Sequence, residues 1–428
     1  MREIKKVAVL GASGNMGSLS GGIFAQAGIE VIFFARTKEK AEKGMQKAIG
    51  QARSDVLRNY IIPETYEALE KYLPEVDWIF EGLAEDMSIK NQYFDIVDKY
   101  RKKGSIVSTV SSGLSIEAMA EGRSEDFQAH FMGTHFYNPP AKLPANELIF
   151  HPKNSDELKK FVYDFCEKKL RRVNIITNNT PAFAGNRVGF QFLNEAAIYA
   201  IEHGPELVDY LLGPYTGRAM APLSTIDLVG LDVHKAIVDN VYEKTNDERH
   251  DTWKMPDYMH KMMERGQLGW KAGAKGGFFK RDENKQKLVL NIETGQHEPA
   301  KKVKVDWVEQ AKAYIHDGSY QQAIDLIKTA EGKEADIVRH FILGYISYSF
   351  HRIGEVTPEE DSIHGIDRVM SFGFSWLPPS GWVDLLGGPK ETIALIEKAN
   401  LPVPESLKKM PEEKICRIPE ITRFLNGR

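Results

Sequence analysis

Short apolar runs bounded by turn residues alternate with polar, helix-like stretches over the first part of the chain. Lys6–Leu10 (KVAVL) predicts a buried strand, Ser18–Ala27 a helix, and Glu30–Phe34 (EVIFF) a second strand. Further short strands are expected at 77–80, 105–109 and 133–136. Regular alternation of strand and helix is typical of an α/β doubly wound parallel sheet, so we predict that fold class here.

After about residue 180 the pattern changes to long segments with apolar positions at helical spacing. Phe183–His203 predicts a buried helix, residues 280–303 are polar, and from Asp306 the chain is helical again. We therefore predict four segments, namely a dinucleotide-binding domain at 1–180, an all-α domain at 181–282, a linker at 283–303 and a second all-α domain at 304–428.

The two helical segments share a weak internal repeat. The repeat consists of Asp, Gly, Pro, Asp and Gly in the same order, at Asp209, Gly213, Pro222, Asp227 and Gly230 and again at Asp367, Gly373, Pro379, Asp384 and Gly387. Chance similarity between helices is the alternative, but the shared order favours duplication. We expect the two helical domains to pack on each other within the chain about a pseudo-twofold axis.

Composition and charge narrow the possible functions. The chain has 428 residues, of which 42% are hydrophobic and 27% charged, as expected for a globular protein of two or three domains. The net charge of −4 gives no basic field to attract nucleic acid. No apolar stretch approaches the ~18 residues of a membrane helix, so no membrane insertion is expected. Glycines follow the first apolar run at once, which favours a strand over a signal peptide.

The cysteine content is low. Cys166 and Cys416 have no metal-ligand spacing and suggest no disulfide framework. We therefore expect no metal site and a location in the reducing cytoplasm.

Three glycines join the first strand to the first helix with the spacing G-x-x-G-x-x-G. Glycine permits a tight turn, and the following helix N-terminus offers free N–H groups to a pyrophosphate. The spacing differs from the commoner G-x-G-x-x-G, and a plain turn is the alternative. We predict a dinucleotide site in a Rossmann-type domain, formed by Gly11, Ser13, Gly14, Asn15, Met16 and Gly17.

The end of the second strand bears on the choice of dinucleotide. NAD-binding domains usually carry an acidic side chain there to hold the ribose hydroxyls, whereas this chain has Ala35 followed by Arg36. Arg36, with Lys38, could bind the 2′-phosphate of NADP, or Arg36 could be a solvated loop residue. The sequence leaves both NAD and NADP open as the cofactor.

Three further segments carry candidate chemistry. They are Ser108–Ile116 (STVSSGLSI), Gly133–Pro139 (GTHFYNP) with Glu147 twelve positions after His135, and Asn179–Arg187 (NTPAFAGNR). Together they resemble the 3-hydroxyacyl-CoA dehydrogenase family. That family has a T-N-T-S-S-L segment, an H-F-F-N-P segment followed by a glutamate at the same distance, and an N-R pair at a helix start. The resemblance covers the first two-thirds of the chain, and the remainder resembles the second C-terminal domain of longer members.

The resemblance implies an oxidoreductase that interconverts 3-hydroxyacyl-CoA and 3-ketoacyl-CoA with NAD(P), as in fatty-acid β-oxidation. An acyl-CoA is then the expected partner, and an oligomer is possible. Carried over residue by residue, the family assigns a general base, its carboxylate partner, two groups that bind the reacting oxygen, and a charged pair beside the cofactor. These are His135, Glu147, Ser112 with Asn186, and Glu85 with Lys90, respectively.

Departures and alternatives accompany the resemblance. Val110 and Gly113 replace the family's Asn and Ser, and residues 140–146 differ, which affects acyl-chain preference more than the reaction. Taken singly, His135 could be a structural histidine, and Ser112 and Asn186 could be helix N-caps. A sugar-nucleotide dehydrogenase would need a nucleophilic cysteine, which the sequence does not supply in a suitable place. A cofactor-binding sensor or structural protein derived from the enzyme is the alternative of a different class.

Overall fold

The structure is a computed structural model that describes residues 3–359 and 362–427 of the chain. It divides into two compact units, of which the first ends at Phe183 and the second begins at Ala184. The predicted boundaries of the four segments stay predictions.

The first unit is built on one eight-stranded sheet with the strand order β3-β2-β1-β4-β5-β6-β7-β8. The strands are β1 (Lys6–Leu10), β2 (Glu30–Ala35), β3 (Ile61–Thr65), β4 (Trp78–Glu81), β5 (Ile106–Thr109), β6 (Phe131–Phe136), β7 (Ala145–Phe150) and β8 (Val173–Ile176). The strands from β1 to β6 are parallel, which confirms the predicted Rossmann-type α/β class.

The last two strands run in the opposite direction to the rest. β7 pairs antiparallel with β6, and β8 is parallel to β7. Only residues 137–144 connect β6 to β7, and a parallel crossover needs about a dozen residues or more, so the chain can only turn back on itself here. This turn places the residues after β6 beside the start of β7.

Helices cover both faces of the sheet. They are α1 (Asn15–Gln26), α2 (Lys38–Ala52), α3 (Leu69–Tyr72), α4 (Met87–Tyr100), α5 (Ile116–Ala120), α6 (Glu125–His130) and α7 (Asp156–Lys168). Val7 and Val9 of β1 face the core under α1, α2 and α7, while Ala8 and Leu10 face the core under α4 and α5. Burial on both faces explains why β1 and β2 are continuous apolar runs without alternation.

The second unit is mainly helical. Its helices are α8 (Gly185–His203), α9 (Pro205–Leu211), α10 (Pro222–Val229), α11 (Leu231–Lys244), α12 (Asp257–Glu264), α13 (Asp306–His316), α14 (Tyr320–Thr329), α15 (Lys333–His351), α16 (His364–Gly373), α17 (Pro379–Leu386), α18 (Pro389–Lys398) and α19 (Glu405–Lys408). The stretch predicted as a linker holds two strands of a small antiparallel sheet, formed by β9 (Phe279–Arg281), β10 (Lys287–Leu290) and β11 (His297–Pro299).

The aspartates of the internal repeat make equivalent contacts in the two copies. Asp209 accepts hydrogen bonds from the backbone N–H of Leu223 (2.7 Å) and of Ser224 (2.9 Å), in the first turn of α10. Asp367 likewise accepts from the N–H of Ser380 (3.1 Å), in the first turn of α17. The shared aspartate therefore satisfies free N–H groups at a helix start in both copies, which supports duplication.

The second aspartate of each copy also has a matching role. Asp227 accepts from the N–H groups of two residues around the start of β9, both at 2.8 Å. Asp384 accepts from the N–H groups of Ile415 and Cys416, both at 3.0 Å. In each copy this carboxylate ties a segment from further along the chain to the helical core.

The two copies meet through equivalent residues. Arg218 and Trp376, each nine residues after the first aspartate of its copy, form an isolated antiparallel bridge with each other. Equivalent positions meet in this way at a twofold axis, so the bridge supports the predicted pseudo-twofold relation between the helical copies, which stays a prediction. The Arg218 side chain is buried there, with its guanidinium 3.8 Å from the ring centroid of Phe192 and 5.0 Å from that of Trp376.

Candidate active site

The glycine loop between β1 and α1 packs too closely against neighbouring backbone to admit side chains at Gly11 and Gly17. Gly11 has φ of +78°, and a Cβ at Gly11 would overlap the carbonyl oxygen of Gly82, while one at Gly17 would overlap that of Gly11. α1 begins at Asn15 with Gly14 as its N-cap, which makes no side-chain capping bond. Free N–H groups at the start of a helix, approached by a backbone without side chains, fit a pyrophosphate.

The remaining predicted residues of the loop have other contacts. Met16 lies in the first turn of α1 and packs against the core. Lys47 on α2 donates from Nζ to the carbonyl oxygen of Ser13 (3.2 Å) and to Oδ1 of Asn15 (3.0 Å). The loop thus carries a lysine ammonium beside it that the predicted site did not include.

The end of β2 lacks an acidic group. Ala35 is the last residue of the strand and is buried, and the exposed Arg36 follows it in the turn before α2. The hydroxyl of Tyr66 accepts from the N–H of Gly11 at 3.0 Å, and the ring of Tyr66 lies 4.5 Å from that of Tyr93. Burial raises the pKa of Tyr66 to about 12, against smaller lowerings by the hydrogen bond with Gly11 and by the charge of Arg36.

A buried ion pair lies at the end of β4. The Lys90 Nζ is 2.8 Å from both carboxylate oxygens of Glu81, and both side chains are fully buried. Glu81 also accepts from the Thr109 hydroxyl at 2.5 Å. Lys90 and Glu85, the pair expected from the resemblance, are 3.5 Å apart, so Lys90 binds two carboxylates. Glu81 was missed, although a glutamate that ends an otherwise apolar strand was a usable signal.

Glu85 fixes the turn that carries Ser112. Its carboxylate accepts from the Ser111 hydroxyl (2.5 Å) and from the backbone N–H groups of Ser112 (3.0 Å) and Gly113 (2.8 Å). Burial raises the pKa of Glu85, but the Lys90 charge and these hydrogen bonds outweigh it and hold that pKa below its usual value. Ser112 is not a helix N-cap, because the next helix is capped by Ser115.

His135 and Glu147 form a hydrogen-bonded pair. The antiparallel register of β6 and β7 places the two residues directly opposite each other, which explains their twelve-residue spacing. Nδ1 of His135 is 2.6 Å from Oε2 of Glu147, and the glutamate is fully buried. An ionised carboxylate can only accept, so Nδ1 carries the proton and Nε2 keeps a lone pair, as a general base requires.

Tyr137 joins this pair as a third member. Its hydroxyl donates to the same Oε2 of Glu147 at 2.8 Å, and its ring lies 5.0 Å from that of His135. The sequence analysis missed this residue. The available signal was the tyrosine that replaces the second Phe of the family's H-F-F-N-P segment.

Asn186 lies in the second unit, in the first turn of α8, and is not the N-cap of that helix. The next residue, Arg187, is fully buried. Its Nε donates to the Tyr348 hydroxyl (2.7 Å) and its Nη2 to Asp247 (2.8 Å). Within the second unit, the start of α8 is therefore anchored by both helical copies. The functional roles of Asn186, Ser112 and the other predicted residues stay predictions.

Two sequence profiles match the chain in succession. The profile of the 3-hydroxyacyl-CoA dehydrogenase NAD binding domain matches residues 6–180, and that of the family's C-terminal domain matches residues 183–279. Among the helices of residues 3–359 and 362–427, none is long and apolar enough to cross a membrane.

Two bacterial relatives illustrate the match. A probable 3-hydroxyacyl-CoA dehydrogenase of Bacillus subtilis is 33% identical over 438 aligned positions, which cover 96% of this chain and 54% of the relative. This chain thus spans about half the length of that relative. A probable 3-hydroxyacyl-CoA dehydrogenase of Deinococcus radiodurans is 33% identical over 66% of this chain and 85% of its own length.

Solved structures share the fold. The crystal structure of 3-hydroxybutyryl-CoA dehydrogenase from Escherichia coli K12 superimposes with a TM-score of 0.69 at 17% identity, covering 99% of this chain and 98% of that chain. The dehydrogenase part of a multifunctional enzyme from C. elegans gives a TM-score of 0.59 at 18% identity over 96% of this chain. Both likenesses extend across the second helical copy.

Proposed function

This chain belongs to the 3-hydroxyacyl-CoA dehydrogenase family, and from that premise we propose that it interconverts 3-hydroxyacyl-CoA and 3-ketoacyl-CoA. The observation that carries the proposal is the 2.6 Å contact between His135 and Glu147 in the dinucleotide-binding unit. Relatives named as fatty acid oxidation complex enzymes support a place in fatty-acid oxidation. Both cysteines are free and buried, which supports a reducing compartment such as the cytoplasm.

The pair supplies the proton chemistry. During oxidation, Nε2 of His135 takes the proton of the 3-hydroxyl group, and the Glu147 carboxylate stabilises the imidazolium that forms. In the reverse direction, the imidazolium returns this proton to the oxygen of the ketone. We assign Ser112 and Asn186 to binding this oxygen, as the family resemblance implies. A bound nicotinamide supplies the hydride transfer itself.

The residues of the first unit fit a nicotinamide dinucleotide. The glycine loop and the first turn of α1 would hold the pyrophosphate, through Gly11, Ser13, Gly14, Asn15, Met16 and Gly17. Glu85 and Lys90 would lie beside the cofactor. Glu85 also fixes the backbone of Ser112, so cofactor and substrate groups share one hydrogen-bonded support.

The primary test is a turnover assay with acetoacetyl-CoA and either NADH or NADPH. We expect loss of absorbance at the wavelength of the reduced nicotinamide, with formation of 3-hydroxybutyryl-CoA. An active His135 site predicts turnover with at least one of the two cofactors. Binding of a cofactor without any turnover across a series of acyl-CoA substrates would instead favour the sensor or structural alternative.

Arg36 is proposed to admit the 2′-phosphate of NADP(H) alongside the family's NAD(H). We expect Arg36→Ala to raise the KM and the Kd for NADP(H) by about tenfold or more, because a charge-assisted hydrogen bond to phosphate is lost. The values for NAD(H) should change by less than about twofold. Calorimetry and steady-state kinetics with both cofactors measure this.

A suitable control is Lys43→Ala, which removes an exposed cation of α2 that is 2.6 Å from Glu39. This variant should leave the preference between the two cofactors unchanged. If Arg36→Ala also leaves that preference unchanged, Arg36 is a solvated residue and the proposal for NADP(H) is wrong.

A further inference from the structure

The carboxylate of Glu147 is shared between two donors at one oxygen. Nδ1 of His135 lies 2.6 Å and the hydroxyl of Tyr137 lies 2.8 Å from the same Oε2 atom. From this geometry we infer that Tyr137 is a positioning residue that weakens the hold of Glu147 on the protonated His135 and so sets the pH range of the reaction. The inference rests on the proposed function of His135 as the base.

The physical reason is competition for negative charge. A hydrogen bond donated to a carboxylate stabilises its negative charge and weakens the hydrogen bond that the same oxygen accepts from a second donor. With the Tyr137 hydroxyl in place, the imidazolium formed at His135 shares Oε2 with a neutral donor. Without it, the imidazolium would share that oxygen with one hydrogen-bond donor fewer and would be bound more tightly.

Tyr137 remains a donor throughout the pH range of interest. Burial, followed by the negative charge of Glu147, raises the pKa of the Tyr137 hydroxyl well above its usual value. The hydroxyl therefore does not ionise near neutral pH, and it affects the pair through its hydrogen bond alone. The proton that His135 takes from the substrate stays on the imidazole, so the step balances without any change at Tyr137.

The surroundings of the ring within the first unit define what else acts on it. His135 faces Glu147 on β7, Tyr137 after β6, and the ring of Phe183 at 5.7 Å. Of these three neighbours, Glu147 is charged and Tyr137 is neutral, and Phe183 cannot ionise. Tyr137 is thus the neighbour whose removal changes the hydrogen bonding of the glutamate while keeping its charge in place.

The direction of the effect follows from these contacts. In Tyr137→Phe, His135 should hold its proton to a higher pH. Oxidation needs the neutral ring, so the acidic limb of kcat/KM for 3-hydroxybutyryl-CoA should move up by about one pH unit. Reduction needs the protonated ring, so its alkaline limb should move up by a similar amount. The KM for the dinucleotide should stay the same, because the glycine loop is untouched.

A matched control is Tyr72→Phe. The Tyr72 hydroxyl also donates to a glutamate, Glu64, at 3.1 Å, in a part of the first unit that takes no part in the proposed reaction. This variant loses the same kind of bond, and its pH profile should equal that of the unmodified protein. A shift confined to Tyr137→Phe separates tuning of the pair from a general loss of stability.

Two further measurements test the inference without relying on turnover of Tyr137→Phe. Site-specific 3-fluorotyrosine at position 137 makes the hydroxyl a stronger donor, so both limbs should move to lower pH. NMR titration of the His135 ring, identified by its loss in His135→Gln, should move to higher pH in Tyr137→Phe and to lower pH with 3-fluorotyrosine at position 137. Unchanged profiles and titrations in both variants, or a shift of the wrong sign, would overturn the inference. Absence of turnover in the unmodified protein would instead contradict the proposed function, while the NMR titration would still test Tyr137.

Discussion

Replacing His135 with glutamine is expected to lower turnover with acetoacetyl-CoA by about a hundredfold or more, because a positioned general acid or base contributes ~10²–10⁴ to the rate. Glutamine can still donate a hydrogen bond to Glu147 but cannot exchange a proton with the substrate. Dinucleotide affinity, measured by calorimetry, should change little, since the glycine loop lies on β1 and α1.

The control for this variant is His151→Gln. His151 belongs to the same unit and is as buried as His135, with 7% of its surface exposed in both cases, but it accepts a backbone hydrogen bond from Lys153. Its replacement should leave turnover within a few-fold of the original. Near-normal turnover in His135→Gln would contradict the assignment of the base and, with it, the proposed mechanism.

Removing the second helical copy by ending the chain at Gln296 is expected to abolish soluble, monomeric protein. Phe192 on α8 packs edge-on against Phe341 (5.0 Å between ring centroids) and Trp376 (5.3 Å), and both of these partners would be lost. Arg187 would lose the hydroxyl of Tyr348. A large apolar face and a buried cation would then meet water, and such faces drive self-association.

Size-exclusion chromatography with light scattering measures the outcome. We expect aggregates or oligomers, with activity below about a tenth of that of the full chain. A milder variant of the full chain, Phe341→Ala, should stay soluble and lose about 3–5 kcal/mol of stability. A truncated protein that is monomeric, soluble and fully active would refute the idea that the copy is structural, as would two cofactor sites per chain in a calorimetric titration.

The parts of the fold that the sequence predicted are those whose signals are local. β1 and β2 are continuous apolar runs, and the glycine loop follows β1 within a few residues, so neighbouring positions carry the whole pattern. β3 was missed because it contains Pro63, which is tolerated there because the strand lies at the sheet edge. β7 was missed because Asn146 and Glu147 interrupt its apolar pattern while serving buried hydrogen bonds.

The candidate site shows the same division. The pair His135 and Glu147 could be recognised because its twelve-residue spacing matches the pattern of the family. The antiparallel register of β6 and β7 explains that spacing. The contact of Glu81 with Thr109 joins residues 28 positions apart in neighbouring parallel strands, and no spacing in the sequence announces it. Tyr137 was missed for a different reason. The G-T-H-F-Y-N-P segment pointed to its histidine, and the role of the Tyr137 hydroxyl becomes visible only from its hydrogen bond to Oε2 of Glu147.

The bridge between Arg218 and Trp376 joins two different residues at equivalent positions of the two helical copies. In a dimer of identical subunits, a residue on the twofold axis faces its own copy, so an arginine there would oppose another arginine. Fusion of the two halves into one polypeptide lifts this restriction, because each half can then mutate alone. The buried guanidinium stacked against an indole, 5.0 Å from its centroid, is a heterotypic contact that a homodimer cannot place on its axis. The contact therefore favours pairing of the first helical copy with the second over pairing of two like copies.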